Sequence, residues 1–243
     1  MAEKPTDMRV AILTTETIHH MYFVRELAKS VSHVMVFEER RPISAEFDTH
    51  HDFEAESDAY ELKLWFDGKM PALGDFAPTH TYYDINDPDC VQKIREFDPD
   101  AIIVYGTGRL SEELIDIRPE RIVNLHGANP EDYFGIDTHL WAIYHKDFDG
   151  LVSTLHRVES NNDRGGVVLS AAIPIEPDME MHEFRAANTE VCIQLVMQGL
   201  HMLETFGQFI SRPQNRSGRF YGFMPSVLKE LCKQRFERYT SQL

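Results

Sequence analysis

Hydrophobic positions along the chain fall into two alternating patterns. Met8 to Leu13 (MRVAIL) is a short apolar run of the kind a buried strand needs, and from His20 to Lys29 the apolar positions Phe23, Leu27 and Val31 recur at helical spacing. Val34 to Phe37 (VMVF) is a second apolar run, so the chain opens as a βαβ unit. The alternation resumes further on. Thr81 to Tyr83 reads as a strand, Pro88 to Phe97 as a helix capped by Asp87, and Ala101 to Tyr105 (AIIVY) as a buried strand. Ser111 to Ile115 is a short helix with acids in its first turn, and Arg121 to Leu125 is another strand. Beyond it, the pattern predicts a helix over Thr138 to His145, strands over Ser153 to Val158 and Val167 to Ile175, a long helix from His182 to Ile210 and a last helix from Pro225 to Tyr239. The expected fold class is therefore α/β, a doubly wound and mostly parallel sheet with a C-terminal helical extension. We expect a catalytic domain over 1–178 and the extension over 179–243. In such sheets ligands sit beyond the carboxyl ends of the strands, which directs attention to the residues after Leu13, Tyr105 and Leu125.

Two segments break the pattern. Pro42 to Leu62 holds seven acids and no Lys or Arg, which predicts a solvated insertion. Arg212 to Arg238 holds seven basic residues against Glu230 and Glu237, an island on a chain whose net charge is −16. A surface so acidic repels polyanions such as tRNA, so a nucleic-acid partner is not expected. Cys90, Cys192 and Cys232 are far apart and form no CxxC pair, which speaks against a disulfide framework and a zinc ribbon and for a reducing cytoplasm. The longest early apolar run, Val10 to Leu13, is too short for a signal peptide or a membrane span.

Chemistry-bearing residues concentrate after Leu125. Strand alternation puts Asn124 and His126 on one face at a carboxyl end, where an amide donor beside an imidazole suits acyl transfer. Gly106-Thr107-Gly108 follows a strand but lacks the third glycine of a dinucleotide loop, so it is expected to shape a turn. His19-His20 and His50-His51 lack metal-ligand spacing, no metal is expected, and the second pair reads as solvated loop residues. Phe220, Tyr221 and Phe223 read first as core packing.

Val123-Asn124-Leu125-His126, Tyr133-Phe134-Gly135, Trp141-Ala142-Ile143 and Asn162-Asp163-Arg164-Gly165-Gly166 together resemble the core of the folate-dependent formyltransferases. That family comprises enzymes acting on methionyl-tRNA, glycinamide ribonucleotide and nucleotide-linked aminosugars. The resemblance implies a catalytic trio of Asn124, His126 and Asp163, the last 37 residues beyond His126. It further implies that Arg109, Leu110, Val158, Asn162 and Asp163 hold N10-formyltetrahydrofolate. The chain departs from the family pattern at Gly127-Ala128-Asn129-Pro130-Glu131, where the family commonly has Pro-Ser-Leu-Leu-Pro. After the first strand, Thr14-Thr15-Glu16-Thr17 offers no glycine for a phosphate loop, which disfavours glycinamide ribonucleotide. The charge, and the absence from this sequence of the tRNA enzyme's separate C-terminal domain, disfavour tRNA. The expected acceptor is thus the amine of a nucleotide-linked aminodideoxysugar for surface polysaccharide, with Thr15, Glu16, Tyr133, Arg216, Arg219 and Tyr221 as candidate acceptor residues. Such enzymes resemble homodimers joined through the C-terminal part. The alternatives are a formyltetrahydrofolate hydrolase, a formyltransferase for another small amine, and a catalytically silent binding module.

Overall fold

A computed structural model describes residues 6–159 and 165–243. Strand β1 (Thr6–Thr14), helix α1 (Ile18–Ser30) and strand β2 (Val31–Glu39) form the opening unit. Helix α2 (Asp52–Phe66), strand β3 (Thr79–Tyr82), helix α3 (Pro88–Phe97), strand β4 (Ala101–Tyr105), helix α4 (Glu112–Ile115) and strand β5 (Ile122–Gly127) follow. The chain continues through β6 (Tyr133–Gly135), α5 (Thr138–Tyr144), β7 (Val152–Arg157), β8 (Val167–Ala172), α6 (Phe184–Phe206), β9 (Arg219–Tyr221) and α7 (Ser226–Thr240).

The main sheet runs β3-β2-β1-β4-β5-β7-β8. Its first five strands are parallel, and β7 and β8 join antiparallel. Parallel strands are covered on both faces, which explains the unbroken apolar runs. In β4, Ala101, Ile103 and Tyr105 enter one core while Ile102 and Val104 enter the other. Helix α6 lies on β7, β8 and α1, and α7 lies on α5. Leu195, Val196 and Phe236 of these C-terminal helices share one core with Val10 and Ile12. Strand order reverses between β1 and β4, so the switch-point crevice opens beside Thr14 and Tyr105, which are paired in register.

The acidic segment corrects the expected insertion. Asp52–Phe66 is a helix that buries Phe53, Ser57 and Glu61, one residue per turn. His51 caps it: its Nδ1 accepts from Phe53 N–H at 3.3 Å while Glu54 accepts from His51 N–H at 3.0 Å. His51 Nε2 also meets Glu230 at 2.9 Å, so it is not a solvated loop histidine. Glu61 is buried against Arg185 of α6 at 2.7 Å, and Lys229 of α7 is buried against Glu54 at 2.6 Å. The acids of α2 thus dock this helix onto the cations of the C-terminal helices.

A second, two-stranded sheet pairs β6 with β9 in parallel. At Gly135 the backbone has φ +107°, and a Cβ there would lie 2.1 Å from the Tyr221 carbonyl oxygen, so only glycine permits this pairing. The pairing brings the segment around Phe220 back over the ends of β4 and β5.

Candidate active site

A cleft of about 900 Å³ opens at the carboxyl ends of β4 and β5. Its floor holds Asn124 and His126, two residues apart on β5 and therefore on one face, as strand alternation requires. His126 is almost fully buried and its Nε2 lies 2.9 Å from the Tyr133 carbonyl oxygen. A carbonyl only accepts, so the proton of this hydrogen bond sits on Nε2.

Asn124 is fixed by a residue the sequence reading missed. His156 stands opposite it in the β5–β7 ladder, and Asn124 Nδ2 lies 3.1 Å from His156 Nε2. His156 Nδ1–H donates to the Arg157 carbonyl at 2.9 Å, which leaves Nε2 as the acceptor for the Asn124 amide. The Asn124 carbonyl and amide ends are thereby assigned, with an amide N–H donated to His156.

Leu110, Ile115, Val104 and Val158 supply apolar walls beside Arg109. The 106–110 turn is held from below. Glu39 accepts from Gly108 N–H at 2.6 Å and Ile85 N–H at 3.1 Å, and Asn86 Nδ2 donates to the Arg109 carbonyl at 2.9 Å. Gly106 has φ +86°, and a Cβ there would stand 2.4 Å from Cε1 of the buried His20. These glycines shape the turn as expected from the missing third glycine. In the same wall the Thr107 hydroxyl oxygen is buried and has no hydrogen-bond partner among the described residues. Apolar walls, an orphaned buried hydroxyl and this volume fit a planar heterocycle with polar edges.

Gly127 and Ala128 replace the family's bulkier residues because α5 comes close here. A Cβ on Gly127 would lie 2.9 Å from the His139 ring, and Ala128 adopts φ +65°. His139 lies against the Val152 carbonyl at 2.7 Å, and burial, assisted by nearby His126, pulls its pKa down to about 4. Asp137, in the same lining, has its carboxyl raised by burial, opposed by the hydrogen bond from Met224 N–H.

The sequence-predicted residues are distributed as follows. Asn124, His126, Arg109, Leu110 and Val158 line the cleft together. Asn162 and Asp163 lie outside the described residues. Thr15 and Glu16 line an adjoining recess of about 440 Å³ that shares Arg41, Pro42, Ile43 and Gly106 with the cleft. Tyr133, Arg216, Arg219 and Tyr221 are not in the described lining of the cleft. Tyr221 packs between Tyr133 and Trp141, with ring centroids at 5.5 and 5.1 Å. Arg216 pairs with the Asp132 carboxylate and donates to the Glu131 carbonyl, and the Arg219 guanidinium stands over the Tyr221 ring at 5.5 Å. Phe220, expected in the core, is instead 63% exposed and meets Phe134 edge to face at 5.4 Å in the cleft wall, with Phe223 nearby.

Fold and cleft define an α/β chain with an Asn-x-His pair on β5, in a cleft at the carboxyl ends of the parallel strands. Residues 25–198 match the model of the formyl transferase family, and the chain belongs to that family. A methionyl-tRNA formyltransferase from Trichlorobacter lovleyi is 27% identical over 163 residues, covering 67% of this chain and 50% of that protein. The chain spans about half the length of the curated relatives it matches. Among solved structures, a sugar N-formyltransferase candidate from Mycobacterium tuberculosis superposes with a TM-score of 0.62 at 16% identity, covering 94% of this chain and 87% of that one. PseJ from Anoxybacillus kamchatkensis, solved with UDP-4,6-dideoxy-4-formamido-L-AltNAc and tetrahydrofolate, superposes with a TM-score of 0.50 at 15% identity, covering 88% and 85%. Both structural likenesses concern the fold.

Proposed function

We propose that this chain transfers a formyl group from N10-formyltetrahydrofolate to the amine of a nucleotide-linked aminosugar. The observation that carries the reading is the pairing of Asn124 and His126 on one face of β5 inside the cleft, with Asn124 oriented by His156. In the reaction the acceptor nitrogen bonds to the formyl carbon, the bond from that carbon to the donor nitrogen breaks, and a proton passes from the acceptor to the donor nitrogen. Asn124 N–H offers a hydrogen bond where negative charge grows on the formyl oxygen. His126, its Nε2–H anchored on the Tyr133 carbonyl, takes part in moving the proton. Arg109, Leu110 and Val158 would hold the donor's ring, with the Thr107 hydroxyl as an added contact. By family resemblance Asp163 acts with His126, and Asn162 joins the donor contacts.

For the acceptor, the net charge of −16 favours a small anion at a local site over a polyanion spread across the surface. PseJ, which shares the fold, was solved with a nucleotide sugar. The exposed aromatic wall of Phe134 and Phe220 supports a sugar or base at the cleft mouth, and Thr15 and Glu16 place the adjoining recess in the same proposal. The proposal includes a cytoplasmic homodimer that supplies formylated sugar to surface polysaccharide. No helix among the described residues is long and apolar enough to cross a membrane.

The sequence relatives favour a second reading, formylation of methionyl-tRNA. Parallel assays with N10-formyltetrahydrofolate and either a panel of nucleotide aminosugars or charged initiator tRNA decide between them. Formylated sugar is the expected product, and formylated tRNA would replace this reading. Formate released at the same rate without any acceptor would identify a hydrolase.

A further inference from the structure

A second groove, with no lining residue in common with the cleft, lies between the turn after α5 and the face of α7. It encloses about 420 Å³ and is lined by Lys146, Phe148, Arg235, Arg238 and Tyr239, with Leu231 and the amides of Gln234 and Gln242 completing it. Forty acids are spread through this chain, yet none lines this groove among the described residues.

Other cations of the same helix are neutralised locally. Lys229 pairs with Glu54 at 2.6 Å and Lys233 with Glu237 at 2.5 Å. Lys146 and Arg238 make no ion pair among the described residues. Arg235 is set in place without a carboxylate: it donates to the Tyr144 carbonyl, and its guanidinium lies 4.9 Å over the Tyr144 ring. Guanidinium held by neutral groups keeps its full charge for an incoming anion. Phe148 and Tyr239, both in the lining, stack in parallel with centroids 3.9 Å apart and an interplanar angle of 4°, which leaves only the outer faces of the pair for a further ring. Three unneutralised cations and two amides around an aromatic platform match an anion that carries a planar ring.

We propose that this groove is a separate binding site for a nucleoside polyphosphate, with Lys146, Arg235 and Arg238 on the phosphates and the Phe148–Tyr239 pair beneath the base. An acidic protein concentrates such a ligand at a basic concavity, where field lines converge.

ATP binding to the full chain, followed by calorimetry, tests the proposal, with formyl transfer measured separately. ATP is expected to bind in a salt-dependent manner, and Arg238→Glu and Lys146→Glu are each expected to weaken it by about tenfold or more. The two positions lie on different elements, and melting curves check that each variant folds. Inorganic tripolyphosphate is expected to compete more weakly than ATP. Unchanged ATP affinity in both folded variants would overturn the site. Tripolyphosphate competing as well as ATP would remove the base platform, and preferential displacement of ATP by a short oligoribonucleotide would replace the small ligand with RNA.

Discussion

Asn124 of β5 and His156 of β7 face each other across an antiparallel pair, with the Asn124 amide nitrogen 3.1 Å from His156 Nε2. Because the other imidazole nitrogen donates to the Arg157 carbonyl, His156 accepts and the Asn124 amide donates. In the proposed reaction, one strand thus carries the group that meets the reacting carbonyl and its neighbour carries the group that aims it.

That relationship separates His156 from Asn124 by experiment. Asn124→Ala is expected to lower kcat by about 10²–10³, the loss typical of one oxyanion donor. His156→Leu removes the acceptor and is expected to lower kcat with little change in KM for the folate, whereas His156→Gln keeps an acceptor and restores part of the loss. Equal loss in the leucine and glutamine variants would leave His156 with a packing role only.

For His126 the expectation follows from the proposed proton transfer. His126→Asn loses the imidazole and is expected to reduce turnover by about 10² or more. Asp163→Asn is expected to do the same on the family resemblance. Melting curves check that each variant folds. Near-normal turnover in either variant would break the trio.

The parts legible from sequence are those in which period and chemistry agree. AIIVY of β4, the Asp87 cap of α3 and the register of Asn124 with His126 follow from local pattern alone. His156 was invisible because its role depends on which residue of β7 stands opposite Asn124, a register set between strands 32 positions apart. Helix α2 was missed because its buried face is Phe53, Ser57 and Glu61, a polar series that apolar counting passes over. His51 followed by Glu54, an imidazole capping box, was the available signal. Phe220 left the core because β9 pairs with β6, which only the glycine at 135 permits.

The buried pair Glu61–Arg185 ties α2 to α6, with Asp58 as a second carboxylate on the guanidinium. Burial raises the Glu61 carboxyl above its ordinary 4.5, and Arg185 opposes that rise. Arg185→Ala leaves a fully buried carboxylate unpaired and is expected to cost about 3–5 kcal/mol. A carboxyl with a raised folded-state pKa binds a proton more readily folded than unfolded, so its contribution is greatest at low pH and is lost as pH rises through that pKa. Removing Arg185 raises the pKa further, so the stability gap between parent and variant should widen as pH rises above the ordinary carboxyl value, while Glu61→Gln in the Arg185→Ala background should remove that widening. Urea unfolding across this range measures both slopes, and parallel slopes in parent and variant would refute the coupling.

Buried histidines govern the acid side. Burial is the main cause that lowers His20 to about 3, against a hydrogen bond to the Thr15 carbonyl, and that lowers His139 to about 4; His19 is lowered for the same reason, with His20 adding to it. In the unfolded chain each imidazole returns to about 6.5. Between the two values the unfolded chain binds protons that the folded chain refuses, so stability is full above about pH 6.5 and declines as pH falls. Each such group contributes up to about 1.4 kcal/mol per pH unit. Between pH 6.5 and 5 most carboxylates remain ionised, and the difference between parent and each histidine variant isolates that imidazole's share. Denaturant unfolding should therefore lose stability with acid there, and His139→Gln and His20→Gln should each reduce the slope by up to one proton. Two variants guard against one failing to fold. A slope unchanged in the folded variants, or stability that rises as pH falls through this window, would show that these imidazoles are not held neutral by the fold.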